Sequence, residues 1–151
     1  MLEILKELKL NLQTNLLLPV FGMVFLTVGI ALWMLKLRYK AVREDGVNAK
    51  YFKLNRGAKL PDYLVQVTQH YENLFETPVL FYLAIVLILV LNLNDLAYVY
   101  FAWGYFISRL IHAYIHTVGN RLKYRKYAFI LTSVILIALW IRLFFDVIIV
   151  T

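Results

Sequence analysis

Gln69, Asn73 and Glu76 stand four and three residues apart, and Arg109, His112 and His116 stand three and four apart. Either spacing sets its three side chains on one face of an α-helix. The first set leads into an apolar run and the second lies at the end of another. A charge in hydrocarbon costs at least ~2.5–3.5 kcal/mol on insertion scales, so ionisable groups placed there need a reason. A carboxylate, a guanidinium and two imidazoles at similar depth could form an ion pair, line a site for a small polar molecule, or ligate a metal.

Glu76 and Arg109 are the natural ion pair of this set. Two readings of the pair stand side by side: a buried contact that fixes helix register, and part of a small-molecule site. His112 and His116 have the i, i+4 spacing that suits zinc. They lack the HExxH pattern, and only Glu76 offers itself as a third ligand, so no metal site is expected. Arg142 and Asp146, also i, i+4, read as a structural pair or an interfacial anchor near the other end of their run. Tyr105 continues the Arg109 face one turn deeper. Gly22 and Gly29 read as points of close helix contact.

The elements that must position these residues are apolar runs: Leu16 to Leu37, Phe75 to Leu93, Leu96 to Ile115 and Tyr127 to Val150. Each is near the ~20 residues a helix needs to cross about 30 Å of hydrocarbon. Residues 1–15 place Leu2, Leu5, Leu8, Leu12 and Leu16 at helical spacing among Glu3, Lys6, Glu7 and Lys9. They read as an amphipathic lead-in at the membrane interface. The first run is too long for a signal-peptide core and no small-residue cleavage site follows it, so it counts as structure. The expected fold is an all-α integral membrane protein, a four-helix transmembrane bundle forming one domain over residues 1–151.

Composition agrees. Of 151 residues, 62% are hydrophobic and the mean hydropathy is +0.71, where a soluble domain is closer to half apolar. The net charge of +7 is concentrated in loops, which points to topology and anionic headgroups and away from nucleic acid. Lys36, Arg38, Lys40, Arg43, Lys50, Lys53, Arg56 and Lys59 separate the first two runs. Arg121, Lys123, Arg125 and Lys126 separate the last two, while Asn92, Leu93, Asn94 and Asp95 form an uncharged-to-acidic tight turn between. Both basic loops fall on one side, which the positive-inside rule assigns to the cytoplasm. Gly46, Gly57 and Pro61 make the first loop mostly irregular. With no cysteine in the chain, disulfides, thiolate ligands and a cysteine nucleophile are excluded.

Together, "NLFETPVLFY" (Asn73 to Tyr82), "SRLIHAYIHTVGNRLKYRKYAF" (Ser108 to Phe129) and "YFKLNRGAKLPDYL" (Tyr51 to Leu64) resemble the MAPEG family, the membrane-associated proteins of eicosanoid and glutathione metabolism, in its bacterial branch. The resemblance covers nearly the whole chain. It implies a homotrimer in a bacterial inner membrane, with glutathione as co-substrate bound between neighbouring subunits near the cytoplasmic side.

By that resemblance Asn73 and Glu76 match glutathione-contacting positions on the second helix. Arg109 and His112 match polar positions on the third, and His116 stands where relatives have a glutathione-contacting tyrosine. Arg125 matches the loop arginine that stabilises the thiolate, and Arg38 is similar to a basic residue gripping a glutathione carboxylate. Gln69 stands where glutathione-using relatives carry arginine, and Pro78 comes earlier than in several of them. The implied function is a glutathione-dependent transferase or peroxidase acting on a lipophilic electrophile that arrives from the bilayer. The alternatives are a non-catalytic member whose polar cluster is structural, or a binder of another anionic ligand.

Overall fold

The computed structural model describes residues 2–54, 57, 59–93, 95–119 and 121–150. Arg56 of the first basic loop, Asn94 of the tight turn, Asn120 and the side chains of Leu2 and Leu5 in the amphipathic stripe lie outside the described residues. The elements run α1 (Leu2–Arg43), α2 (Tyr51–Leu54), α3 (Asp62–Asn73), α4 (Thr77–Val90), α5 (Leu96–Tyr114), a π-helical turn (Ile115–Gly119) and α6 (Leu122–Val150). No strand occurs among the described residues.

Helix α1 joins the lead-in and the first apolar run into one 42-residue helix that carries Pro19 in its interior. At 1.5 Å per residue it is roughly 63 Å long, about twice the hydrocarbon thickness. Leu16, Met23 and Ile30, one heptad apart, form its buried stripe and continue into Met34 and Ala41. Gly22 lies against the Phe106 ring on α5, where an added Cβ would meet Phe106 Cζ at 2.5 Å. Gly29, by contrast, has nothing within 4 Å of such a Cβ. Only the first of the two expected contact glycines therefore serves that role within the chain.

The second apolar run is extended backwards and interrupted. Pro61 precedes α3, and the backbone then turns at 74–76 before α4 starts with Pro78 near its N-terminus. Proline is tolerated there because the first helical N–H groups have no intrahelical acceptor. Glu76, at the N-cap of α4, has φ −92° and ψ −94°. The continuous helical face expected for Gln69, Asn73 and Glu76 is broken at this turn. The tight turn after α4 closes with Asn92 at φ +57°, Leu93 N–H donating to Ile88 O at 3.0 Å and Asn92 N–H to Leu89 O at 3.2 Å. This is the pattern of a left-handed C-terminal cap, at a residue type that tolerates that conformation. Asp95 then caps α5 by accepting from Tyr98 N–H at 3.0 Å.

Three stretches are long and apolar enough to cross a membrane: Lys6–Arg43, Asp62–Val90 and Leu122–Ile149. Helix α5, the third expected span, is not among them. Its 19 residues include Tyr98, Tyr100, Tyr105, Ser108, Arg109, His112 and Tyr114, which lower its hydropathy. The physical reason is its position. It packs most extensively against α6 and α1 and buries Tyr98, Val99, Ala102, Tyr105, Ser108, Arg109, His112 and Ala113. A helix sheltered by its neighbours can carry polar side chains that a lipid-facing helix cannot. The other long helices show the reverse, with Phe25, Leu32, Ile137 and Phe144 among many large apolar residues pointing outward. The chain is an all-helical membrane protein.

Candidate functional site

The polar site is built where the C-terminal end of α3, the C-terminal half of α5, the π-helical turn and the start of α6 meet. Leu64, Val67, His70 and Leu74 form the buried stripe of the α3 segment, at intervals of three, three and four. His70 therefore points inward with the core. On α5, Tyr105, Arg109, His112 and His116 of the following π turn are all buried. Single π turns inside helices are frequent at functional sites because they redirect side chains. Here Thr117 Oγ1 donates to Ala113 O at 2.7 Å, and the Gln66 side-chain amide donates to the His116 carbonyl. Both contacts steady the turn that presents His116.

Arg109 is 0% exposed. Its Nη2 donates to two oxygens of Asn73, the backbone carbonyl and Oδ1, each at 3.0 Å. Asn73 Nδ2 in turn donates to Glu76 Oε2 at 3.1 Å. The expected Glu76–Arg109 ion pair is not formed: Asn73 stands between them, and Glu76 is exposed at the turn. The backbone break at 74–76 is the cause, since it carries the carboxylate away from the face that α3 turns to α5. Arg109 Nε and Nη1 are buried without a hydrogen-bond partner.

His112 and His116 lie against His70, with ring centroids 5.7 Å and 5.0 Å from it and 5.7 Å from each other. All three rings are at most 1% exposed, and their ligating nitrogens lie within 4.8 Å of one another. Sequence reasoning missed His70. The signal was present in the apolar stripe Leu64, Val67, Leu74, whose spacing passes through position 70. It was obscured because the segment before Phe75 reads as loop by hydropathy.

Arg125, in the first turn of α6, shares a cavity of about 300 Å³ with Asn73, His112, Leu122, Lys126 and Phe129. Arg38 belongs elsewhere. Its guanidinium sits 5.3 Å over the Phe52 ring, in a cavity of about 200 Å³ lined also by Tyr51, Thr68, Gln69 and Glu72. The fold thus gathers Asn73, Arg109, His112, His116 and Arg125, holds Glu76 at the edge, and separates Arg38 with Gln69 into a second cavity.

At the opposite end of α5, Arg142 Nη2 donates to Asp95, Arg142 Nε donates to Asp146 Oδ2 at 3.3 Å, and Tyr98 Oη donates to the same oxygen at 2.6 Å. The Arg142 guanidinium lies 4.7 Å over the Tyr98 ring. This network ties the α4–α5 turn to α6, in keeping with a structural role for Arg142 and Asp146.

A sequence model described as the MAPEG family matches residues 16–145, most of the chain. Comparison with curated proteins and with solved structures found no match. The chain belongs to the MAPEG family.

Proposed function

With that membership as premise, we propose that this protein is a membrane-bound, glutathione-dependent transferase or peroxidase acting on a lipophilic electrophile. The observation that carries the reading is the basic cavity holding Asn73, His112, Arg125 and Lys126. Its volume of about 300 Å³ lies at the lower end of small-molecule sites. A free thiol near pKa 8.5 is only slightly ionised at neutral pH. A guanidinium beside it favours the thiolate by about 1.4 kcal/mol for each pKa unit lowered.

Arg125 is the residue assigned to that task. In the transferase reaction the thiolate sulfur bonds to an electrophilic carbon, and the carbon's leaving group departs with the bonding pair. In the peroxidase reaction the sulfur takes one peroxide oxygen, the O–O bond breaks and an alcohol leaves after protonation. A second glutathione then converts the sulfenic product to a disulfide and water. Asn73 and Glu76 would hold the ammonium or backbone amides of glutathione, and Arg38 a carboxylate.

Within one subunit Arg38 and Arg125 open onto different cavities. A homotrimer with glutathione between neighbours would join the two. The same reading has α5 crossing the membrane with its neighbours as a fourth span, and both basic loops on the cytoplasmic side of a bacterial inner membrane. A second reading, a structural polar lock without catalysis, draws support from Arg109, whose bonds to Asn73 hold α3 to α5.

Glutathione binding to the detergent-solubilised protein, followed by calorimetry and by thiolate ultraviolet absorbance, separates the two. Saturable binding with a thiolate signal that Arg125→Ala removes is the expected result. A folded protein that binds no glutathione at millimolar concentration would overturn the assignment and leave another anionic ligand or the structural lock.

A further inference from the structure

The chain has three histidines, and all three meet at one buried point. His70 comes from α3, His112 from α5 and His116 from the π-helical turn, and one ligating atom of each lies within 4.8 Å of the others. Neither ring nitrogen of any of the three has a hydrogen-bond partner. A neutral imidazole has one donor and one acceptor, and leaving such groups buried and unpaired is costly. Packing alone gives no reason to collect three imidazoles where apolar rings would fill the same space at lower cost. We propose that His70, His112 and His116 form a binding site for a divalent transition-metal ion of the zinc class.

The donor set defines the metal. Imidazole nitrogens without carboxylate or thiolate suit zinc, copper, nickel or cobalt, and do not suit magnesium or calcium. Tetrahedral ligation at about 2.0–2.1 Å puts ligand nitrogens about 3.3 Å apart. From the 4.8 Å limit the nitrogens must therefore close by at most about 1.5 Å. Three protein ligands leave a fourth position open.

Arg109 and Arg125 are the charged groups that act on the three rings. Two neighbouring cations oppose a bare dication, and they favour an anion such as hydroxide or chloride as the fourth ligand. The cavity lined by Asn73, Arg125 and Lys126 borders the cluster at His112. The ion would also join α3 to the end of α5 directly. This site stands on the histidine geometry and is independent of the glutathione assignment.

Cobalt(II) titration of full-length, untagged, chelator-treated protein in detergent tests it. The expected result is one cobalt per chain, the intense visible bands of a four-coordinate ion, and bleaching of those bands by stoichiometric zinc. His70→Gln, His112→Gln and His116→Gln should each abolish the bands. Zinc-loaded wild-type protein should show imidazole scattering in X-ray absorption and a raised thermal midpoint. Absence of stoichiometric cobalt uptake by the wild-type protein would overturn the proposal, as would uptake that survives His70→Gln. A zinc spectrum without imidazole scattering would overturn it whether or not the variants fold.

Discussion

Arg109 and Asn73 are joined twice, because the guanidinium donates from one nitrogen to both the main-chain and the side-chain carbonyl of the asparagine, each at 3.0 Å. Asn73 is the last residue of α3, so its carbonyl is one that the helix cannot satisfy itself. A cation at that position also complements the negative end of the helix dipole. Arg109 is thus a capping group delivered from another helix, through Nη2 alone. Asn73→Ala removes one acceptor from a buried cation and should destabilise the protein by about 1.5–3 kcal/mol, the range for hydrogen bonds to charged groups. Asn73→Asp keeps the acceptor and adds a countercharge, so it should retain stability. Denaturant or thermal unfolding in detergent, comparing both variants with wild type, checks the order.

Glu76 gives the opposite expectation to the one its sequence position invites. A carboxylate buried against Arg109 would be costly to neutralise, on the order of 3–5 kcal/mol for a broken buried pair. The observed Glu76 is exposed and accepts one hydrogen bond, from Asn73. Glu76→Gln should therefore cost no more than about 1 kcal/mol in stability. The same unfolding measurement decides between them, and a loss of several kcal/mol would restore the ion-pair reading.

What the sequence made legible follows from which physical signals are local. Hydropathy found α1, α4 and α6 because their lipid-facing surfaces are apolar almost throughout. It also found α5, although that helix falls short of the spanning stretches by composition, since Leu96 to Ile115 is still mostly apolar. The polar face of α5 was legible too, because Arg109, His112 and His116 stand out against that background. The partner face on α3 was read correctly at Asn73 and missed at His70. Gln69, Asn73 and Glu76 have helical spacing, but the turn at 74–76 ends the helix, and the face toward α5 and the π-helical turn is instead Gln66, His70 and Asn73. Such a register is fixed by which stripe packs against a distant helix, and no local rule states it. The separation of Arg38 from Arg125 was likewise a matter of tertiary placement.

Arg142 supplies a control site remote from the histidines. It bridges Asp95 at the N-cap of α5 and Asp146 on α6, and each group is about a third to a half exposed, with side-chain exposures of 34%, 45% and 31%. Solvent screening keeps each pair weak, in the range of about 0–1 kcal/mol. Arg142→Met also leaves two carboxylates facing one another, so a total loss of about 1–2 kcal/mol is expected, lessened by high salt. Glutathione binding and cobalt uptake should be unchanged, since the network lies at the opposite end of α5. A variant equally stable at low salt would show that the turn is held by its backbone bonds alone.

Gly22 and Gly29 make a paired test of how α1 packs. A Cβ at Gly22 would overlap the Phe106 ring, with the nearest atoms at 2.5, 2.7 and 3.0 Å. Phe106 in turn packs edge-on against the Trp103 ring, whose centroid is 6.1 Å away. Gly22→Val should therefore cost roughly 1–3 kcal/mol, as overpacking does at close helix contacts. At Gly29 the space is open, and Ala is the better helix former by about 0.8–1.0 kcal/mol. Gly29→Ala should be neutral or stabilising within the chain. Unfolding of both variants, run with size-exclusion chromatography, checks the assignment. A Gly29→Ala protein that keeps its helices and loses its oligomer would place that open face against a neighbouring subunit, which is the use the sequence spacing first gave it.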